Sequence, residues 1–300
     1  MISYIVPSYN QGQYIKYTLD SILSNMGEND QLIIVDGASK DNTHEVVKSY
    51  LADSRIDWRS EPDRGFSDAM AKALKLVRNP IVGIMSSDDA YKPSIRDRVL
   101  SLFNNPETVL VYADYEMIDV CNQRIGKFIH GAAELEDVLS LRVILPQSSV
   151  FFRHSALDGK EILDLKHDYI ADVVLFNQIC MTGKFVYVPE IWSQVRKHDG
   201  SRSGKYDPGL QYLNALETTL SGMPVDMKEK CWAGALLLRA RHLATLNQRR
   251  KASRILLASF ALDPKLLNHW LLSRTLYYIF FGSIGINFLQ YIRSRSQKIN

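Results

Sequence analysis

Over its first hundred residues the chain alternates short, mostly apolar runs with stretches whose apolar positions recur every three or four residues. The runs at 2–6, 32–35, 56–59 and 81–85 predict strands, the last of them a buried one. Between them the pattern predicts helices over 13–24, 42–50 and 67–77, and a fourth that opens at Pro93, a residue suited to a first helical turn, and runs to 103. Strand–helix alternation of this kind specifies an α/β fold, a mostly parallel sheet with helices on both faces. Farther along, 109–115 and 148–152 predict strands, 134–141 and 169–181 helices, and 185–188 a strand ended by Pro189. A stretch rich in Gly, Ser and charge, 196–208, reads as a boundary, and the chain beyond it is nearly all helical, with a break at Asp263–Pro264. The expected domains are therefore 1–205 and a helical C-terminal region, 206–300.

Composition narrows the class. With 46% apolar and 23% charged residues in 300, the chain can bury a core and is not disordered. Its three cysteines, Cys121, Cys180 and Cys231, lie far apart, which argues against a disulfide framework or a thiolate metal site and suits a reducing compartment. The first strand begins directly after Met1, leaving no room for a signal peptide, so a cytoplasmic location is expected. The net charge of +3 hides an asymmetry: from Lys228 onward there are 13 Lys+Arg against two acids, about +11, so the preceding residues carry about −8.

In an open parallel sheet, ligands bind at the carboxyl ends of the strands. Strand one ends in Pro7-Ser8-Tyr9-Asn10, strand two in Asp36-Gly37, and strand four in Ser87-Asp88-Asp89, while Asp63-Arg64-Gly65 and Asp68 follow strand three. Each alone reads as a turn or a helix cap. Together they line one sheet edge with carboxylates, and such crowding is costly unless a cation is present. Hard oxygen ligands of this type suit Mg²⁺ or Mn²⁺ holding a diphosphate.

The ordered segments Ile5-Val6-Pro7-Ser8-Tyr9-Asn10-Gln11-Gly12, Ile33-Ile34-Val35-Asp36-Gly37-Ala38-Ser39-Lys40-Asp41-Asn42-Thr43, Ser60-Glu61-Pro62-Asp63-Arg64-Gly65 with Asp68-Ala69-Met70, and Met85-Ser86-Ser87-Asp88-Asp89 resemble the inverting family 2 glycosyltransferases of the Rossmann-like GT-A fold. The resemblance covers about 2–203 and implies a UDP-sugar donor. It implies that Pro7 and Tyr9 pack on the base, that Asp36 bonds the base edge, and that Asp68, with Arg64 near the phosphates, lines the nucleotide site. By the same likeness Asp88 is the ribose-side acid and Asp89 the metal-binding acid of a DXD motif whose first position is Ser87. Ala171-Asp172 with Leu175, ahead of Gly183-Lys184-Phe185, resembles the segment that carries the family's catalytic base. That register makes Asp172 the base and Asp168 its rival, although Val174 and Gln178 depart from the motif. Leu145-Pro146-Gln147 resembles the acceptor border, with Gln147 facing it, and Arg196-Lys197-His198 resembles a loop that closes over the donor, giving His198 to the metal or diphosphate.

Glycine-rich loops of nucleotidyltransferases and nicotinamide dehydrogenases are absent after the first strand. The remaining rival is an inactive nucleotide-sugar-binding scaffold, which the eroded Val174 and Gln178 favour and the retained acids oppose. In the tail, 275–292 carries no charge but includes three tyrosines and two glycines, a poor transmembrane span. Flanked by bases, it reads as a helix lying on anionic lipid at the inner face of the cytoplasmic membrane, with packing as a subdomain or homo-oligomer contact as the alternative. Nothing in it resembles a nucleic-acid reading motif. A glycan acceptor on polyprenyl diphosphate, used in surface polysaccharide such as O-antigen or capsule, fits that placement.

Overall fold

The computed structural model describes residues 1–158, 165–198, 208–219, 225–268, 272–273, 275–276 and 278–280. In chain order the elements are β1 (Ile2–Ser8), α1 (Ile15–Leu23), β2 (Gln31–Asp36), α2 (Thr43–Lys48), β3 (Ile56–Ser60), α3 (Phe66–Leu74), β4 (Ile81–Ile84), β5 (Ala90–Tyr91), α4 (Arg96–Leu102), β6 (Thr108–Ile118), β7 (Arg124–Phe128), α5 (Leu135–Leu139), β8 (Val150–Arg153), α6 (Ala171–Cys180), β9 (Lys184–Arg196), α7 (Pro208–Thr219), α8 (Val225–Thr245) and α9 (Arg249–Leu262). The chain divides into two compact units, Met1–Ala133 with Ile144–Ser201, and Glu134–Val143 with Arg202–Asn300.

The first unit holds the whole sheet, ordered β3-β2-β1-β4-β8-β6-β9-β5, with β7 paired on β6. Strands β1 to β4 are parallel in the order 3-2-1-4, so the topology switches direction at β1. Every residue of β1, β2 and β4 is buried, which is why these strands read as continuous apolar runs. Edge strand β3 is half-exposed. The core between sheet and helices is built around Ile2, Tyr4, Ile15, Leu19, Phe151 and Trp192.

The far half of the sheet departs from the sequence pattern. Strand β8 runs antiparallel to both β4 and β6, and the expected strand at 185–188 does not end at Pro189. It continues as β9 to Arg196, parallel to β6, with Val188 opposite Ala113 but Ile191 opposite Asp114. Pro189 and Glu190 form the extra residues of that irregularity, where proline's missing N–H breaks no ladder bond. Two strands escaped the sequence reading: β5 is only two residues long, and β7 exposes or half-exposes all five of its side chains.

In the second unit, α7, α8 and α9 pack side by side with α5 against α8. Helix α5 opens with a capping box between Glu134 and Asp137. The Tyr212 hydroxyl donates to the Leu139 carbonyl at 2.9 Å, and Ser259 to that of Ala233 at 2.8 Å. Arg142 is the unit's ionic hub, binding Glu136, Asp137 and the buried Asp263, while Lys230 takes the other oxygen of Glu136 at 2.8 Å. Helix α9 ends at Leu262, as the Asp263–Pro264 signal requires. Among the described residues no helix is long and apolar enough to cross a membrane. Most of the expected interfacial segment 275–292, and residues 199–207 of the expected boundary loop, lie outside the described residues.

Candidate active site

The strand ends at the switch point bring the sequence motifs together in two groups. The first lies at the carboxyl ends of β1, β2 and β3. Ser8 sits opposite Asp36 in the ladder, and the Gly37 N–H donates to the Ser8 carbonyl at 2.9 Å. Pro7 is buried in the strand, whereas Tyr9 is 58% exposed beyond its end. Asp36 is fully buried and saturated by its own chain. It accepts from the Ser39 N–H and hydroxyl, from the Ser60 hydroxyl at 2.9 Å, and meets His44 Nε2 at 2.8 Å. His44, about one third exposed, stacks edge-on against Trp58 and carries this network to the surface. The sequence reading passed over His44, Ser39 and Ser60, because nothing in their spacing marks them as partners of Asp36.

Next to this group, Asp68 in the first turn of α3 accepts from the Arg64 N–H at 3.1 Å and pairs loosely with the Arg64 guanidinium at 3.4 Å. Asp63 accepts from the Gly65 N–H at 3.0 Å, and burial, then the charges of Asp68 and Asp168, raise its pKa. Gly65 has φ +113°, and a Cβ there would press to 2.7 Å from Asp168, so both conformation and space require glycine. Asp168 comes from the short 3-10 turn before α6 and accepts the Ser67 N–H at 2.7 Å, satisfying an open donor of the first turn of α3. Asp172, its rival as base, lies one turn on, half-buried in the first turn of α6.

The second group lies at the end of β4. Asp88 and Asp89 point in different directions and find different partners. Asp89 is 7% exposed, and its carboxylate accepts the Arg196 N–H at 2.8 Å while its carbonyl accepts the Thr18 hydroxyl at 2.6 Å. Burial, then repulsion from Asp88, raises its pKa well above the ordinary carboxylate range. Asp88 instead meets His198 Nε2 at 2.9 Å. Arg196 adds further contacts here: Nε donates to the Asp88 carbonyl and Nη1 to that of Asp119, and the guanidinium lies over the rings of Tyr14 and Tyr17. Its Nη2 is buried without a partner among the described residues. Tyr14 also packs 4.9 Å from the His198 ring, and Gln147 reaches the Ser86 hydroxyl at 3.3 Å, which sets it beside this strand end. Among the described residues no cluster of three or more His, Cys, Asp or Glu forms a ready metal cage.

Residues 3–162 match the sequence profile of the family described as glycosyl transferase family 2. The chain belongs to glycosyl transferase family 2. Among its relatives are a putative teichuronic acid biosynthesis glycosyltransferase, TuaG, of Bacillus subtilis (28% identical over 48% of this chain and 59% of that one) and the minor teichoic acid biosynthesis protein GgaA of the same organism (25% over 61% and 44%). An uncharacterized glycosyltransferase of Rickettsia prowazekii is 29% identical over 40% of this chain and 37% of its own length, so the chain spans well under two thirds of these relatives. The fold is similar to S. aureus TarS 1–349 in complex with UDP-GlcNAc, with TM-score 0.67 at 16% identity over 93% of this chain and 89% of that one. It is also similar to the mannosyltransferase PcManGT from Pyrobaculum calidifontis in complex with GDP-Man and Mn²⁺, with TM-score 0.55 at 16% identity over 94% and 86%. Both likenesses bear out the expected GT-A fold. The family match ends at residue 162, before α6 and β9, so Asp168, Asp172, Arg196 and His198 of this family 2 chain are placed by its structure alone.

Proposed function

We propose that the protein is an inverting glycosyltransferase that moves a sugar from a nucleoside diphosphate donor, UDP in the first instance, to a hydroxyl of a glycan acceptor. The observation that carries the reading is the 2.9 Å pairing of His198 with Asp88 at the end of β4, beside the buried Nη2 of Arg196. A carboxylate oxygen, an imidazole nitrogen and an unsatisfied guanidinium fit a divalent cation together with the anionic diphosphate it would carry. Asp88 and His198 would hold Mn²⁺ or Mg²⁺, with Asp89 serving as the buried acid that fixes Arg196. A cation there would neutralise charge building on the departing diphosphate.

The protein's own groups account for the rest. Ser8 Oγ and Ser67 Oγ, buried without partners among the described residues, are open donors at the nucleotide end. His44 and Ser60, backed by Asp36, offer polar groups to the base, with Pro7 and the exposed Tyr9 beside them. Arg64, 72% exposed on its side chain, can swing toward the phosphates. Gln147 orients the acceptor. By the register of the family resemblance Asp172, in the first turn of α6, is the base and Asp168 its rival. As the acceptor oxygen attacks the anomeric carbon, the diphosphate leaves with the electrons of the C–O bond, and the hydroxyl proton passes to the Asp172 carboxylate. In-line attack inverts the anomeric centre.

The teichoic and teichuronic acid names of the relatives support a surface-polymer acceptor, and a lipid-linked form met at the inner face of the cytoplasmic membrane is part of the proposal rather than of those names. The test is a thermal-shift panel of nucleotide sugars with and without Mn²⁺, followed by nucleotide release with added acceptor. A bound donor stabilises the fold by mass action, by roughly 2.7 kcal/mol at a hundred times its Kd. No stabilisation by any nucleoside diphosphate would sink the reading; stabilisation without release would mark a binding scaffold.

A further inference from the structure

The outward side of the second unit is amphipathic along its length. Helix α9 buries Ala252, Leu256 and Ser259, and turns Arg250, Lys251 and Arg254 outward in its first half. In its second half the same outward stripe carries Leu257, 68% exposed, and Leu262, 37% exposed. Leu262 continues into a shallow cleft with Val225, Lys228, Glu229 and Trp232 of α8. Val225 is 72% exposed and Trp232 44% exposed, unusual for side chains of this size in a helix that otherwise buries its apolar residues.

The charges on α9 are one-sided, while the first turns of α8 add the acids Asp226 and Glu229 beside Lys228. The acids Glu136, Asp137 and Asp263 are engaged by Arg142 and Lys230, so they do not neutralise the cations of α9. No acid occurs anywhere in α9, and Glu229 is the single acid of the cleft. Exposed leucines and a tryptophan bordered by three cations are the side chains that a headgroup layer accommodates: the rings and aliphatic groups enter the interface while the cations meet lipid phosphate.

We infer that the face formed by Arg250, Lys251, Arg254, Leu257, Leu262 and Trp232 docks on an anionic phospholipid surface. This docking would bring the enzyme to a lipid-borne acceptor, but it is read from exposure and charge and does not depend on the donor chemistry. Vesicle binding and sugar transfer can therefore fail separately.

The test uses the full chain and co-sedimentation with vesicles of phosphatidylcholine alone or mixed with phosphatidylglycerol. The chain is expected to bind the anionic vesicles and to lose binding as salt rises. Each cation near such a surface contributes about fivefold, so replacing Arg250, Lys251 and Arg254 together by Gln weakens binding on the order of a hundredfold. Leu257→Ser weakens it less, and bromolipids quench a fluorescence component that Trp232→Phe removes. These exposed substitutions should leave the circular dichroism spectrum and nucleotide-sugar binding unchanged. Undiminished vesicle binding by the triple variant would overturn the proposal. So would a chain that ignores anionic vesicles but loses a dimer when Leu257 or Trp232 is replaced, which would make the face a contact between copies.

Discussion

The two units use charge in opposite ways. The first, with 20 Lys+Arg against 25 Asp+Glu, holds several acids on fixed donors, so that Asp36, Asp68, Asp89 and Asp168 each accept at least one backbone N–H. The second, with 16 against 8, ties three of its acids, Glu136, Asp137 and Asp263, to Arg142 and Lys230 and leaves the cations of α9 facing outward. Short hydrogen bonds fix geometry to tenths of an ångström, whereas exposed charges act across a Debye length and need no fixed partner. The first arrangement suits discrimination of a small ligand; the second suits a broad anionic surface.

The sharpest way to break this contrast is at the paired acids of β4. Asp88→Asn should lower transfer by about 10²–10³-fold and abolish Mn²⁺-dependent stabilisation by a nucleoside diphosphate. Asp89→Ala, which removes the acceptor of the Arg196 N–H, should act through the position of Arg196 and keep a residual metal response. Equal metal responses in the two variants would return Asp89 to the metal. Asp172→Asn should cost about 10²–10⁴-fold in kcat with donor binding intact, and should remove the acidic limb of the pH–rate profile. Asp168→Asn, still able to accept from Ser67 through its carbonyl, should keep that limb. If the acidic limb vanishes in Asp168→Asn instead, the two carboxylates exchange roles.

In the second unit, Arg142→Ala leaves Asp263, 4% exposed, without its cation and should destabilise the protein by about 3–5 kcal/mol, read by denaturant melts. His130 of the first unit gives a smaller, pH-dependent effect. Burial pushes it down to about 4 against the pull of Asp114, while the unfolded chain protonates near 6.5. Its neutral form therefore leaves stability undiminished above about 6.5 and removes roughly 3 kcal/mol as pH falls to 4, and His130→Gln should flatten that slope. Gly65→Ala should cost about 1–3 kcal/mol through its positive φ and its contact with Asp168, with KM for the donor rising as the loop shifts.

Much of the first unit was legible because buried parallel strands leave few polar positions inside a run, so the motifs at their ends are set off sharply. The adjacent acids Asp88 and Asp89 announced a site for the same reason. Which of them faces outward was not legible, because that depends on where β9 delivers Arg196, and β9 was read as ending at Pro189. A bulge that absorbs a proline leaves no local mark. Strand β7 was missed because it buries no face, and the ring of donors around Asp36 because Ser60 and His44 reach it only through tertiary folding. The exposed stripe of α9 was hidden for a different cause: its leucines satisfy a helical period, and only solvent exposure separates a stripe that packs from one that does not.

The last strand has a further consequence. His198 meets Asp88 across 110 residues of sequence, and Arg196 reaches Asp89 across 107. During synthesis, the segment matched by the family model leaves the ribosome while Asp88 and Asp89 at the end of β4 still lack their partners from β9 and beyond. A fragment ending at residue 162 would carry the whole family match yet leave Asp88 and Asp89 without His198 and Arg196.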